Sequence, residues 1–330
     1  MLNKPNSELI RLGIPSKGRM ATETEEFFNS CGFKIIRNRQ QYIGSLEGFP
    51  TIQIVFQRQE DIVHGVLKGS LAYGIVGLDL LTELTIKDPD KIVVVHEDLE
   101  FGRCKLEVLI PEEWTESSMS DLKQRKNLLR VASKSPLLTR KFFDKHDLDF
   151  ELFEAVGTLE VAPALGYSDI IVDLVSTGQT LKDNRLKRIH DGCILKSQAC
   201  FIGNRNSLKV NQIILNSART LLEYFEATLR AKNFVSVFIN MLGKNPEMIA
   251  EKMFANKNLK GLQGPTISRV LSSDEGSWFA VHIIVEKKKL TETIRVLREM
   301  GGSGVVVSPT LFIFEEEPKR YKKLLKNMEE

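Results

Sequence analysis

The sequence predicts an α/β protein built of two lobes, followed by a smaller ferredoxin-like unit. Three observations carry this expectation. From Arg11 to Gly203, short apolar runs that read as strands alternate with amphipathic segments that read as helices, the signature of a mostly parallel sheet. Four early strand ends collect Gly, Lys, Arg or acidic residues, and in such sheets ligands gather at the carboxyl ends of strands. After Asn233 the pattern changes to the order βαββαβ, the ferredoxin-like unit.

In chain order, Arg11 to Ile14 reads as the first strand. It ends in Pro15-Ser16-Lys17-Gly18-Arg19, and Ala21 to Ser30 reads as a helix stopped by Gly32. A Lys-Gly-Arg loop between a strand and a helix suits an anion, and it equally suits a solvated turn. Thr51 to Phe56 alternates like a strand and runs into Gln57-Arg58, before a helix over Ile62 to Lys68 closed by Gly69. Leu71 to Val76 is a strand ending in Gly77-Leu78-Asp79, and Ile92 to Val95 is another. Lys105 to Ile110 opens a second lobe. Its further strands are Leu128 to Ala132, Phe150 to Phe153 and Ile170 to Val175, and its helices are Leu137 to Lys145 and Thr158 to Leu165. Ile194 to Gly203 reads as one apolar return strand and Val210 to Ala231 as one long amphipathic helix. The last unit is expected as β 235–242, α 246–254, β 266–271, β 278–285, α 290–300 and β 305–307, with a charged helical tail at 319–330. The expected division is 1–103 with 204–231 as lobe one, 104–203 as lobe two, and 232–330 as the third domain.

The stretch with the most chemistry is Ser168 to Thr180. An apolar run, Ile170 to Val175, carries one acid, Asp173, and ends in Ser176-Thr177-Gly178-Gln179-Thr180. Successive backbone N–H groups, hydroxyls and a glycine before a helix are the parts of a phosphate cradle. A carboxylate just before them suits a sugar with vicinal hydroxyls, because it accepts two hydrogen bonds side by side. An ordinary strand-to-helix turn has the same composition. Glu160, beside Ala162 and Pro163, reads as a ligand group or as an acid favoured near a helix N-terminus.

Composition excludes several classes. The chain has 330 residues, 42% hydrophobic and 27% charged, with a net charge of +3, too small to argue for nucleic acid or a membrane surface. No apolar run approaches the roughly 20 residues that span a bilayer. Met1 to Glu8 lacks the apolar core of a signal peptide, and Cys31, Cys104, Cys193 and Cys200 lack metal-like spacing and read as reduced thiols. These features predict a cytoplasmic location. The five histidines show no pairing that suggests a catalytic triad.

The chain resembles the long form of ATP phosphoribosyltransferase, the first enzyme of histidine biosynthesis. Five motifs carry the likeness in order: Pro15-Ser16-Lys17-Gly18-Arg19; Phe56-Gln57-Arg58 with Asp61-Ile62; Gly74-Ile75-Val76-Gly77-Leu78-Asp79; Gly157-Thr158-Leu159-Glu160-Val161-Ala162-Pro163; and Asp169 to Thr180. Gly261-Leu262-Gln263-Gly264-Pro265-Thr266 and Gly301-Gly302-Ser303-Gly304-Val305 resemble the family's regulatory domain. Ala72-Tyr73 departs from the pattern, where the family usually places an acid.

The resemblance implies a periplasmic-binding-protein-like catalytic core with an ACT-like regulatory domain. It implies transfer of the 5-phosphoribosyl group of 5-phosphoribosyl-1-diphosphate (PRPP) to N1 of ATP, with Mg²⁺ and release of pyrophosphate. Asp173 and Asp169 are the expected catalytic carboxylates on the ribose, either one reaching Mg²⁺ through water. Ser176, Thr177, Gly178, Gln179 and Thr180 are expected on the 5-phosphate, and Lys17, Arg19, Arg58, Gly77, Asp79 and Glu160 on ATP and phosphates. Histidine, as allosteric inhibitor, is expected at Asn240, Leu262, Gly264, Thr266 and Gly302, in a homo-hexamer or a dimer. Two other functions share much of this architecture: a two-lobed solute-binding protein, and a phosphoribosyltransferase for another base. The first predicts a signal peptide, and the five-motif match argues against the second.

Overall fold

The computed structural model describes residues 9–37, 42–154, 158–256, 259, 261, 262, 264–271 and 276–329; Met1–Glu8, Gly157 and Gln263 fall outside that set. Cα packing divides the chain into two compact units, Met1–Thr220 with Lys319–Glu330, and Leu221–Pro318. Among the described residues no helix is long and apolar enough to cross a membrane.

The first unit contains two sheets. The amino-terminal half runs β1 (Ile10–Pro15), α1 (Gly18–Ser30), β2 (Ile35–Ile36), β3 (Ile43–Leu46), β4 (Phe49–Gln57), α2 (Gln59–Leu67), β5 (Tyr73–Gly77), α3 (Leu78–Thr85) and β6 (Ile92–His96). The chain then enters lobe two with β7 (Cys104–Pro111), α4 (Met119–Lys123), β8 (Leu129–Ser133), α5 (Pro136–Lys145), β9 (Phe150–Glu154), β10 (Ile170–Val175), α6 (Gln179–Asp183) and β11 (Leu186–Ser197). It returns through β12 (Ala199–Asn204), α7 (Arg205–Val210) and α8 (Gln212–Ala231). Lobe one is the seven-stranded sheet β2-β3-β4-β1-β5-β12-β6, and lobe two is the five-stranded sheet β11-β7-β10-β8-β9. Within them β4, β1 and β5 are mutually parallel, as are β10, β8 and β9, so each lobe has one edge where carboxyl ends meet. Leu12, Ile14, Ile54 and Phe56 are at most 1% exposed, and burying each such side chain stabilises the sheet by about 1.5–3 kcal/mol.

Several expectations need correction. Ile194–Gly203 is not one strand. The chain breaks at Gln198, so β11 pairs with β7 in lobe two while β12 pairs with β5 and β6 in lobe one; the lobe boundary lies there rather than at 203. Thr158–Leu165 is a series of turns, not a helix. Pro163 has no N–H to give to Leu159, and the Leu159 carbonyl accepts instead from Ala162, a three-residue turn. The long helix expected over Val210–Ala231 is α8, starting at Gln212, while Val210 ends the short helix α7. The Asn211 side chain accepts from the N–H groups of Ile213 and Ile214 and so starts α8 afresh. The departure at Ala72-Tyr73 has a packing cause, since both are buried and the Tyr73 hydroxyl bonds the Ile214 carbonyl and Ser217 Oγ.

The lobes are joined by more than the two chain crossings. Glu83 on α3, only 5% exposed, accepts from the N–H groups of Leu137 (2.7 Å) and Leu138 (2.9 Å) at the start of α5. A lobe-one carboxylate thus caps a lobe-two helix, where the helix dipole favours negative charge.

The second unit runs from the latter half of α8 through β13 (Phe234–Leu242), α9 (Pro246–Phe254), β14 (Thr266–Arg269), β15 (Trp278–Glu286), α10 (Leu290–Glu299) and β16 (Gly302–Pro309). The antiparallel order β14-β15-β13-β16 is the ferredoxin-like arrangement. Alternation on β13 and β15 buries Val237, Ile239, Val281 and Ile283 on the helix side. The closing helix α11 (Lys319–Glu329) belongs to the first unit, not to the 232–330 segment expected to hold it. Its Tyr321 and Leu324 are buried, Arg320 pairs with Glu97, and Arg205 bonds the Asn327 carbonyl at 2.6 Å.

Candidate active site

On the lobe-one edge, parallel pairing aligns Pro15 with Gln57, and the Ser16 N–H donates to the Gln57 carbonyl at 2.9 Å. The Lys17 loop and Arg58 are therefore neighbours. Lys17 occupies the N-cap of α1 and Arg58 that of α2; both are exposed, and neither helix has a side-chain cap. Two helix N-termini and two cations meet at these adjacent strand ends, with Glu60 and Asp61 in the first turn of α2 offsetting part of that charge. Arg19 lies in the first turn of α1, 3.8 Å from Glu23 and 3.4 Å from the Arg103 carbonyl.

The end of β5 is more tightly engaged. Gln59 Oε1 accepts from the Gly77 N–H at 2.8 Å. Asp79 accepts from Ser197 Oγ at 2.5 Å, and its own N–H donates to the same hydroxyl at 3.0 Å. A Cβ on Gly77 would lie 2.5 Å from Asp79 Oδ1, so glycine is what lets the carboxylate fold back there. Burial pushes the Asp79 carboxyl up, partly offset by the Ser197 bond. Asp79 is thus committed to the end of β11, whereas Lys17, Arg19 and Arg58 stay open to solvent.

On the lobe-two edge, β10 ends at Val175 and the chain turns through Ser176, Thr177 and Gly178 into α6. Gly178 has φ +81°, a conformation only glycine adopts without strain. The backbone of Thr180 lies in α6, and its side chain is outside the described set. Asp173 sits two residues before the strand end, with Oδ1 accepting from the Leu174 N–H at 2.8 Å. Burial raises its carboxyl, the Leu174 N–H and Lys134 pull it down, and Glu160 pushes it further up. Glu160, Asp173, Ser176, Thr177, Gly178 and Leu181 line one open cleft of about 340 Å³. The structure therefore gathers the loop, Asp173 and Glu160, although Glu160 stands in a turn and not at a helix N-terminus.

Asp169 is not with them. It precedes β10, whereas the loop follows that strand, so six residues at about 3.3 Å each put it roughly 20 Å away at the opposite sheet edge. It is also occupied: it accepts from Arg130 Nη2 at 2.7 Å and from the Arg130 backbone N–H at 2.8 Å. Partial burial raises its carboxyl, but these bonds outweigh that and hold it below the usual range. It is a structural acid, and the expectation of a catalytic role there is withdrawn.

Three residues at this edge escaped sequence reading: Lys134, Glu107 and Arg188. Arg188 lies on β11, and its Nε donates to Glu107 Oε2 on β7 at 2.6 Å. Only strand pairing brings positions 107, 173 and 188 together, and no local sequence signal marks that.

In the second unit, Asn240 and Thr266 lie on the open face of the sheet, but on strands separated by β15 and two residues out of register, about 12 Å apart. Leu262 is exposed. Gly264 has φ +108° and abuts the Phe254 ring. Gly302 turns the other way. A Cβ there would lie 2.3 Å from Ile239 Cδ1 and 2.7 Å from the Leu297 carbonyl, so close packing of α10 on the sheet explains this glycine. Within one chain the five expected histidine contacts do not share a face.

The family model described as "ATP phosphoribosyltransferase" matches residues 58–227, and "HisG, C-terminal domain" matches residues 231–310. "ATP phosphoribosyltransferase 1, chloroplastic" from Arabidopsis thaliana is 39% identical over 333 residues, covering 97% of this chain and 81% of that protein. The ATP phosphoribosyltransferase of Methanocaldococcus jannaschii is 31% identical, covering 91% of this chain and 98% of its own. Among solved structures, the "ATP phosphoribosyl transferase (HisG:HisZ) complex from Thermotoga maritima" aligns with TM-score 0.53 and 21% identity over 66% of this chain and 97% of that one, a likeness of fold alone.

Proposed function

The chain belongs to the ATP phosphoribosyltransferase family, and from that premise we propose how its residues divide the work. It is an ATP phosphoribosyltransferase, a pentosyltransferase of histidine biosynthesis. In the reaction the C1′–O bond of PRPP breaks, pyrophosphate leaves with the electron pair, and the adenine N1 lone pair forms the new bond to C1′. N1 carries no proton, so no strong base is required. The difficulty is bringing a triphosphate, a phosphate and a diphosphate into one cleft around an oxocarbenium-like sugar, which makes positioning and electrostatics the main contributions.

The 5-phosphate rests on the backbone N–H groups of Ser176–Thr180 and the hydroxyls of Ser176 and Thr177, and Asp173 accepts from the ribose hydroxyls. Lys17, Arg19 and Arg58 hold phosphates at the lobe-one edge, and Glu160 faces the nucleotide. Gly77 and Asp79 shape that edge, with Asp79 acting through Ser197. The observation that carries this assignment is the single cleft holding Asp173, Glu160 and the positive-φ Gly178 loop.

Phosphoribosyltransferases generally use a divalent metal, and we take it to be Mg²⁺. Among the described residues no group of three or more His, Cys, Asp or Glu is placed to hold a metal, which suits an ion carried mainly by substrate phosphates with one or two carboxylates. Asp173, with Glu160 close enough to raise its pKa, is the fitting side chain, reaching the ion through water. The metal would neutralise the departing pyrophosphate.

The test is direct: the purified protein with ATP, PRPP and Mg²⁺ should yield N1-(5-phospho-β-D-ribosyl)-ATP and pyrophosphate. No product with ATP, alongside turnover of PRPP with another base, would reassign the substrate. Histidine is proposed to inhibit from the second unit of a homo-hexamer by favouring an inactive conformation, a coupling of typically about 1–3 kcal/mol. The chloroplast location belongs by name to the plant relatives. For this chain the cytoplasm is proposed, a reducing compartment in which cysteines such as Cys104, Cys193 and Cys200 stay as thiols.

A further inference from the structure

A Cβ built on Gly178 would lie 2.9 Å from Arg188 Nη2, 3.5 Å from Cζ and 3.6 Å from Nη1. The guanidinium therefore stands against the backbone of the loop. Its orientation is set from behind. Nε donates to Glu107, which is 6% exposed, and β11 pairs with β7 so that Arg188 faces Leu109, a wall of the cleft. Among the described residues Nη1 and Nη2 have no hydrogen-bond partner, and the Arg188 side chain remains 46% exposed. A guanidinium anchored through Nε keeps its two-pronged Nη edge free, the geometry that grips a phosphate bidentately.

We propose that Arg188, aimed by Glu107, is a phosphate-binding residue for the 5-phosphate of PRPP. This rests on the assignment of the Ser176–Thr180 loop to that phosphate. The loop's amides supply direction, and Arg188 supplies the charge that the loop itself lacks. Glu107 positions it and does not touch substrate.

The experiment compares KM for PRPP, KM for ATP, kcat, and inhibition by ribose 5-phosphate and by pyrophosphate. Arg188→Ala should raise KM for PRPP and weaken ribose 5-phosphate about ten- to a hundredfold, the scale of a lost charge-assisted hydrogen bond, with KM for ATP and pyrophosphate inhibition little changed. Arg188→Lys should recover part of the loss. Glu107→Gln still accepts from Nε and leaves the cation less neutralised, so KM for PRPP should stay level or fall. Removing Arg188 alone leaves Glu107 buried without its partner; if that variant does not fold, Arg188→Ala with Glu107→Gln gives the same readings. An unchanged KM for PRPP overturns the proposal. So does an equal rise in Arg188→Ala and Glu107→Gln, which would make the pair a strut, and so does a loss confined to pyrophosphate. A Gly178→Val control separates the two levels. If it too leaves PRPP unaffected, the phosphate lies outside the loop altogether; if it alone weakens PRPP, only the role of Arg188 falls.

Discussion

Replacing Gly178 by Ala tests the loop with one carbon atom. Two costs compete. At φ +81° a side chain meets its own carbonyl, costing roughly 1–2 kcal/mol. The new Cβ would also stand 2.9 Å from Arg188 Nη2, but that atom is the end of a flexible, half-exposed chain and swings aside cheaply. The backbone cost therefore dominates. In the free enzyme a surface loop escapes it by relaxing to another conformation, so global stability should barely move. On binding, the loop must return, and the full amount then weakens PRPP by about five- to thirtyfold, since about 1.4 kcal/mol is a factor of ten. Initial rates at saturating ATP, with PRPP titrated by calorimetry, read this directly, and a melting curve confirms the fold. A folded Gly178→Ala variant that binds PRPP like the parent would show that the observed loop conformation is not the binding one.

Asp173→Asn should lower activity at least tenfold. Because burial raises the folded carboxyl's pKa, its contribution to stability is fully present below the unfolded value and lost as pH rises through the folded one. The ionised acid thus costs stability at pH 7, and the Asn variant should melt higher there and not in acid, while a lower Tm at pH 7 would contradict this. Asp169→Asn should do the reverse: both KM values unchanged, but a lower Tm at neutral pH. Arg130 depresses its folded pKa, so its contribution is present above the unfolded value and fades as pH falls. Glu83→Ala should cost about 1–2 kcal/mol, the usual worth of a helix cap, or about 2–8 °C in Tm; an unchanged melt would mean that the Leu137 and Leu138 amides find water instead.

The sequence exposed what is local. The alternation along β13 and β15 and the motif at β10 are one-dimensional patterns, and the ferredoxin-like unit and the glycine turn after β10 followed from them. What it hid is lateral. Arg188 becomes relevant only because β11 lies beside β7, and Asp169 loses its role only because β10 separates it from the loop. The break at Gln198 was masked by the continuous apolar run through Ala199–Ile202, which reads the same whether one sheet or two receive it. Thr158–Leu165 misled for the opposite reason: Leu159 and Ala162 are buried at a helix-like spacing, but Pro163 removes the N–H a helix needs there.

The return of α11 to the first unit makes the ferredoxin-like segment an insertion rather than an appendage. A chain cut after Ala231 loses that segment and also strips Tyr321 and Leu324 out of the first unit's packing, so an inactive truncation would say nothing about regulation. A deletion that bridges Thr220 to Lys319 with a short flexible linker keeps the closing helix and removes only the insert. It also follows that one protease nick between the units severs a single tether. The fragments should stay together under native conditions and separate only in denaturant, because each end of the insert is held by its own stretch of folded chain.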